Sequence, residues 1–180
     1  GHSMGGHILT RYLHRYPAAA ERAVLVAPMT KINSGPAPEA LMHGIAENAC
    51  RLGLSREYAA SQHGYDASNE NFQANRLTTD LERFRASLAP IHINPSLALG
   101  GITYGWLAAA IRSMRIARKA AYLRKVLTPI LLVSAANDRV VDPKDHETVA
   151  RRLHDCTFHK IYSAEHEVLH ENEFVRKSFW

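Results

Sequence analysis

Ser3, Asp138 and His166 are the residues whose types and spacing could carry out acyl transfer. Ser3 lies in Gly1-His2-Ser3-Met4-Gly5, a G-x-S-x-G turn of the kind that presents a nucleophilic serine between a strand and a helix. A serine hydroxyl is a poor nucleophile near neutral pH and needs a base to take its proton. His166 is the candidate base, returning that proton to the leaving group, and Asp138 is the candidate for holding the imidazole tautomer and stabilising the imidazolium. The Met4 backbone N–H is expected to be one oxyanion donor. A serine at a helix N-terminus also meets the positive end of the helix dipole, which favours charge developing during attack. Gly1 and Gly5, two before and two after the serine, are expected to be required because a side chain at either would collide in so sharp a turn.

Each assignment has a competitor. Asp142 rivals Asp138, but it precedes Pro143 and already has a use as a helix cap. His170 rivals His166, which lies nearer the end of the preceding strand. His166-Glu167-Val168-Leu169-His170 matches H-E-x-x-H in form; a zinc site of that kind needs the motif inside a helix with a further ligand beyond it, and here it straddles a loop. Tyr104 and Trp106 in Gly100-Gly101-Ile102-Thr103-Tyr104-Gly105-Trp106 are candidates to line a substrate pocket, against the plainer use of anchoring a helix to a core. Arg112, Arg115 and Lys119 share a helical face that could meet anionic headgroups; a solvated face is the simpler reading.

These side chains need elements to hold them. Residues 7–16 carry Ile8, Leu9, Tyr12, Leu13 and Tyr16 at helical spacing and predict a helix with one apolar face, closed by Pro17. Residues 22–28 and 128–134 are continuous apolar runs and predict buried parallel strands. Residues 157–162 alternate and predict the last strand. Between the first two strands no strand pattern occurs. Helices are predicted over 39–54 (Leu41, Ile45, Ala49, Leu52), 79–88 (Leu81, Phe84, Leu88) and 103–122 (Leu107, Ile111, Met114, Ala117), punctuated at Gly35-Pro36, Gly64, Pro90 and Gly100-Gly101. Asp142-Pro143 should open a helix reaching about His154, and a final helix should begin near Glu171 or Asn172 and continue to Trp180.

The fold expected is α/β: the C-terminal part of a doubly wound domain, with parallel strands and flanking helices. Residues 1–30 and 127–180 form its core, and 31–126 a helical lid inserted between two strands. A strand should precede the serine turn, so the chain reads as part of a longer protein whose other portion holds the second oxyanion donor. Among 180 residues, 46% are hydrophobic and 22% charged, as in soluble globular domains, and no apolar run is long enough to span a membrane. The net charge of +5 is compatible with anionic lipid or phosphate-bearing substrates. Cys50 and Cys156 lack metal-ligand spacing and read as free, buried thiols, in keeping with a reducing, cytoplasmic compartment.

The order Ser3, Asp138, His166 is that of the α/β-hydrolases. The segments GHSMGG, AVLVAPMT, GGITYGW, SAANDRVVDP and SAEHEVLHENEFVR together resemble the bacterial lysophospholipase and monoacylglycerol lipase branch of that superfamily, also labelled serine aminopeptidase-like. The resemblance runs over essentially the whole chain, with Ile102 where the lysophospholipases usually carry proline. It implies hydrolysis of a carboxylic ester in a small lipid, with no metal and no organic cofactor and no nucleic-acid partner, in the cytoplasm or peripherally at the inner membrane. It puts the nucleophile on Ser3, the acid on Asp138 and the base on His166.

Overall fold

The computed structural model describes all of residues 1–180. Its sheet has three parallel strands, β1 (Ala23–Val26), β2 (Ile130–Ala135) and β3 (Cys156–Ile161), in the order β1-β2-β3. Ala23 is in register with Ile130 and Val26 with Val133; Ile130 is in register with Cys156 and Ala135 with Ile161. The period-2 alternation of a strand sends Leu25, Ile130 and Leu132 to one face and Val26, Val133 and Ala135 to the other. The first face packs against Leu13, Leu123, Val126, Val149 and Leu153. The second packs against Ala164, Val168 and Val175. Burial on both faces is why β2, and β1 apart from exposed Val24, read as unbroken apolar runs.

The chain divides into two compact units: Gly1–Asn33, Asn75–Phe84 and Met114–Trp180 form one, and Ser34–Ala74 with Arg85–Ser113 the other. In the first, α1 (Ser3–Arg15) precedes β1, α5 (Ala120–Leu123) precedes β2, α6 (Pro143–Arg152) joins β2 to β3, and α7 (Glu173–Lys177) follows β3. The Asp142 carboxylate accepts the Lys144 N–H at 3.0 Å and Pro143 stands at the first helical position, so α6 starts where its capping chemistry dictates. Asn172 caps α7 in the same way, and that helix ends at Lys177 rather than running to Trp180.

The second unit contains α2 (Glu39–Arg51) and most of α3 (Leu81–Ile93) and α4 (Tyr104–Ala117). The glycines of its GGITYGW turn are sites of close approach. A Cβ on Gly100 would lie 2.4 Å from the Tyr58 hydroxyl, and one on Gly105 would lie 2.7 Å from the Ser55 carbonyl oxygen. Gly105 N–H donates to that same carbonyl, and Tyr104 N–H donates to the Glu57 carbonyl, so this turn is docked onto residues 55–64 by backbone contacts that larger residues would block.

The structure refines the sequence expectations for the helices and corrects some of them. Ile8 and Tyr12 of α1, and Tyr16 just after it, are at least half exposed, and the buried positions are Gly6, His7, Thr10 and Leu13. The helix is turned because Gly6 must approach Pro28 closely, while Thr10 satisfies its hydroxyl on the Gly6 carbonyl at 2.9 Å and so tolerates burial. In α2, Leu41, Ile45 and Leu52 are exposed and Ala46 is the buried residue; the other side of the helix is occupied by Glu47, which pairs with His43, Arg51 and Arg112. Phe84 and Leu88 of α3 are half-buried and Leu81 is exposed. That helix continues through Pro90, where the missing N–H falls opposite exposed Ala86. The helix predicted over 103–122 is two, α4 and α5, separated where Lys119 adopts extended backbone. Its stripe of Leu107, Ile111, Met114 and Ala117 is buried along α4. Both cysteines are free but only half-buried.

Candidate active site

The serine turn is built by backbone strain and close packing. Ser3 has φ +49°, a left-handed conformation rare outside glycine, and it opens α1 directly. A Cβ on Gly1 would lie 2.9 Å from the Gly5 carbonyl oxygen, so Gly1 is sterically required. Gly5 is not: a Cβ there meets nothing within 4 Å. Gly6 takes the second steric role, since its Cβ would lie 2.9 Å from the Pro28 Cβ. The Met29 N–H donates to the Ser3 carbonyl at 2.9 Å, tying the turn to the residues that leave β1. Met4 stands in the first turn of α1, where backbone N–H groups have no intrahelical acceptor and point outward.

Asp138 follows β2 and His166 follows β3, both at the carboxyl ends of their strands. Their side chains converge on Ser3. The Ser3 hydroxyl lies 2.9 Å from His166 Nε2, and His166 Nδ1 lies 2.7 Å from Asp138 Oδ2. An acceptor-only carboxylate requires Nδ1 to carry the proton, which leaves Nε2 free to accept from the serine. The other carboxylate oxygen, Oδ1, accepts the Val140 and Val141 N–H groups at 2.8 and 2.9 Å. Both the imidazole and the carboxylate are almost fully buried. Asp142 is engaged elsewhere, capping α6 and accepting Lys31 Nζ at 2.9 Å. The His170 side chain is mostly exposed, 4.0 Å from Glu167. The H-E-x-x-H stretch straddles a loop and a single 3-10 turn, and both nitrogens of His166 are already hydrogen-bonded. Tyr104 and Trp106 occupy the first turn of α4, half-buried, in the second unit.

The loops bearing the acid and the histidine are braced by residues that sequence reasoning passed over. Glu171 is fully buried with no cation beside it. Its carboxylate accepts Glu165 N–H at 2.8 Å, Thr79 N–H at 3.0 Å and the Thr79 hydroxyl at 2.5 Å. Arg139 donates to the Glu165 carboxylate and to the Asn75 carbonyl, and Glu167 N–H donates to the Leu77 carbonyl. Residues 75–79 thereby strap the histidine loop from outside. His2 Nε2 donates to the His166 carbonyl at 3.1 Å, with the two rings 4.8 Å apart. His146 bridges Ser134 and Pro28 from within the core. The only sequence signal for these groups is their type: buried polar side chains must find partners, but which partners depends on the fold.

Comparison with known proteins agrees with this architecture. Residues 1–173 match the family described as serine aminopeptidase, S33. A probable lysophospholipase L2 of Haemophilus influenzae is 28% identical over 98% of this chain and 55% of its own length. Lysophospholipase L2 of Escherichia coli K12 is 30% identical over 97% of this chain and 52% of its own. The chain thus spans about half the length of the curated relatives it matches. The crystal structure of a Paleococcus ferrophilus monoacylglycerol lipase superposes with a TM-score of 0.72 at 19% identity, over 98% of this chain and 62% of the other. With a parallel sheet, flanking helices and a family match over nearly its full length, the chain belongs to the serine aminopeptidase S33 family and has the α/β-hydrolase fold.

Proposed function

We propose that this chain carries the Ser3–His166–Asp138 triad of a serine ester hydrolase of the lysophospholipase or monoacylglycerol lipase type. The observation that carries the reading is the hydrogen-bonded line from Ser3 Oγ through His166 to Asp138, at 2.9 and 2.7 Å. The names of the relatives, lysophospholipase and monoacylglycerol lipase, support a small lipid ester as substrate.

In this mechanism Ser3 Oγ attacks the ester carbonyl carbon while His166 Nε2 takes its proton. The carbonyl oxygen becomes an oxyanion that the Met4 N–H and a second donor receive. Collapse expels the alcohol, which takes the proton from His166, and leaves an acyl-enzyme on Ser3. Water, deprotonated by the same imidazole, then releases the carboxylic acid and restores the serine. Asp138 stays ionised throughout and stabilises the imidazolium. Residues 31–126 are the proposed helical lid, and Tyr104 and Trp106 the proposed substrate-selecting residues within it. A lipid substrate and a charge of +5 suit peripheral contact at an anionic membrane; no helix is long and apolar enough to cross one.

The test is a fluorophosphonate probe applied to the complete polypeptide that contains these residues. Labelling at Ser3 that disappears in Ser3→Ala supports the proposal, and equal labelling of both proteins overturns it. A panel of lysophospholipid, monoacylglycerol, amide and thioester substrates then separates ester hydrolysis from peptidase or thioesterase chemistry.

A further inference from the structure

We infer that His146 is a positioning residue for the nucleophile: a buried imidazole that ties the strand of the acid to the turn supporting Ser3. The inference rests on the assignment of Ser3 as nucleophile.

His146 lies on α6 with no solvent exposure, and both of its ring nitrogens are used. Nε2 is 2.8 Å from the Pro28 carbonyl oxygen and Nδ1 is 2.8 Å from the Ser134 hydroxyl. A carbonyl only accepts, so Nε2 carries the proton and Nδ1 accepts from Ser134. Burial pushes the imidazole pKa down, which keeps the ring in the neutral form that these two bonds require.

The group that His146 holds adjoins a strained residue and is in contact with the serine turn. Pro28 follows Ala27, a non-glycine residue at φ +41°. Such backbone persists only where its surroundings over-determine it. Proline has no N–H, so its carbonyl is its only backbone hydrogen-bonding group. That carbonyl receives both His146 and the Thr30 N–H. On either side of Pro28, Ala27 N–H donates to Val133 and Met29 N–H donates to the Ser3 carbonyl. The Pro28 ring is also what bars a side chain at Gly6. The other end of the bridge, Ser134, is on β2 four residues before Asp138. One imidazole therefore links the acid's strand to the turn beneath the nucleophile without touching the reacting atoms. An apolar residue here would take this partner from the fully buried Ser134 hydroxyl; the polar bridge satisfies it and fixes the direction of the Pro28 carbonyl.

The experiment compares His146→Asn with His146→Gln in the complete polypeptide, by ester hydrolysis, by the rate of fluorophosphonate labelling and by thermal melting. An Asn amide reaches the position of Nδ1 and keeps the Ser134 link; a Gln amide reaches that of Nε2 and keeps a donor for Pro28. The Asn variant is expected to lose about 100-fold in kcat and labelling rate with KM within about twofold, and the Gln variant to recover at least about tenfold of that loss. Equal rates for two folded variants overturn the inference. Ser134→Ala, which leaves the Pro28 link intact, decides the matter if His146→Asn does not fold. Because it cuts the strand end of the tie, a loss of about tenfold in kcat and labelling rate at unchanged KM supports the inference, and a rate within about threefold of wild type in a folded protein overturns it. A wild-type protein that takes no label at Ser3 overturns the hydrolase reading itself, an outcome distinct from any difference among the variants.

Discussion

Gly6 and Pro28 approach so closely that a Cβ on Gly6 would sit 2.9 Å from the Pro28 Cβ and 3.1 Å from the Gly1 carbonyl oxygen. Neither neighbour is the end of a flexible side chain. Gly6→Ala should cost about 1–3 kcal/mol of stability and displace the serine turn. Gly5→Ala meets open space on a helix and should be neutral or slightly stabilising, by about 0.5–1 kcal/mol. Chemical denaturation of the two variants, with probe labelling of each, checks the contrast. Equal loss in both would contradict it.

Asp138→Asn keeps the shape of the side chain but replaces the acceptor that holds His166 Nδ1–H at 2.7 Å. The imidazole then has reason to carry its proton on Nε2, where it can no longer accept from Ser3. We expect kcat to fall about 10⁴-fold with the melting temperature little changed. A variant retaining a tenth of wild-type activity would show that another acid serves, with Asp142 next to be tested.

Glu171→Ala should be among the most destabilising single changes. It strands the Glu165 and Thr79 N–H groups and the Thr79 hydroxyl in a buried setting. About 3 kcal/mol is expected from unsatisfied donors alone, read from the urea midpoint at constant m-value. Glu165 immediately precedes His166, so labelling of Ser3 should slow in whatever protein remains folded.

His7 sets an acid limit. Burial, and then the charge of Arg11, pushes its pKa down to about 4 from the ordinary value of 6.5. The unfolded chain therefore binds a proton at a pH where the folded chain does not. The His7 contribution to stability is complete above the unfolded value and is lost as pH falls from about 6.5 toward about 4. His146 is shifted in the same direction by burial and adds to the same limb. In His7→Gln the difference between denaturation midpoints at about pH 7 and about pH 4.5 should be smaller than in wild type. An unchanged difference would assign the acid limb to other groups.

What could be read in advance divides by the reach of each interaction. Asp142 caps the helix that begins at its own neighbour, so the start of α6 was legible. The apolar runs of β1 and β2 were legible because both faces of β2, and of β1 except at exposed Val24, are covered. Ser3, Asp138 and His166 could be picked out because each stands at the end of a recognisable strand or at its own motif. The phase of α1 was only partly legible: Leu9 and Leu13 face the core while Ile8 and Tyr12 face outward, and the inward side also includes Gly6, which meets Pro28, 22 residues distant. For the same reason the steric glycine was expected at Gly5 and is found at Gly6. Glu171 and His146 carry no local signature, since their partners Thr79 and Pro28 stand 92 and 118 positions away.

Gly1 donates to the Val24 carbonyl and accepts from Val26 N–H, and His2 bridges Val26 in parallel. The serine thus hangs from the rung next to β1, as the carboxylate hangs from β2 and the imidazole from β3. Shear that slides those rungs past one another moves the Ser3, His166 and Asp138 side chains apart without breaking the helices or strands themselves. Chemical reactivity at the hydroxyl is thereby a finer gauge of strand alignment than any measure of secondary-structure content.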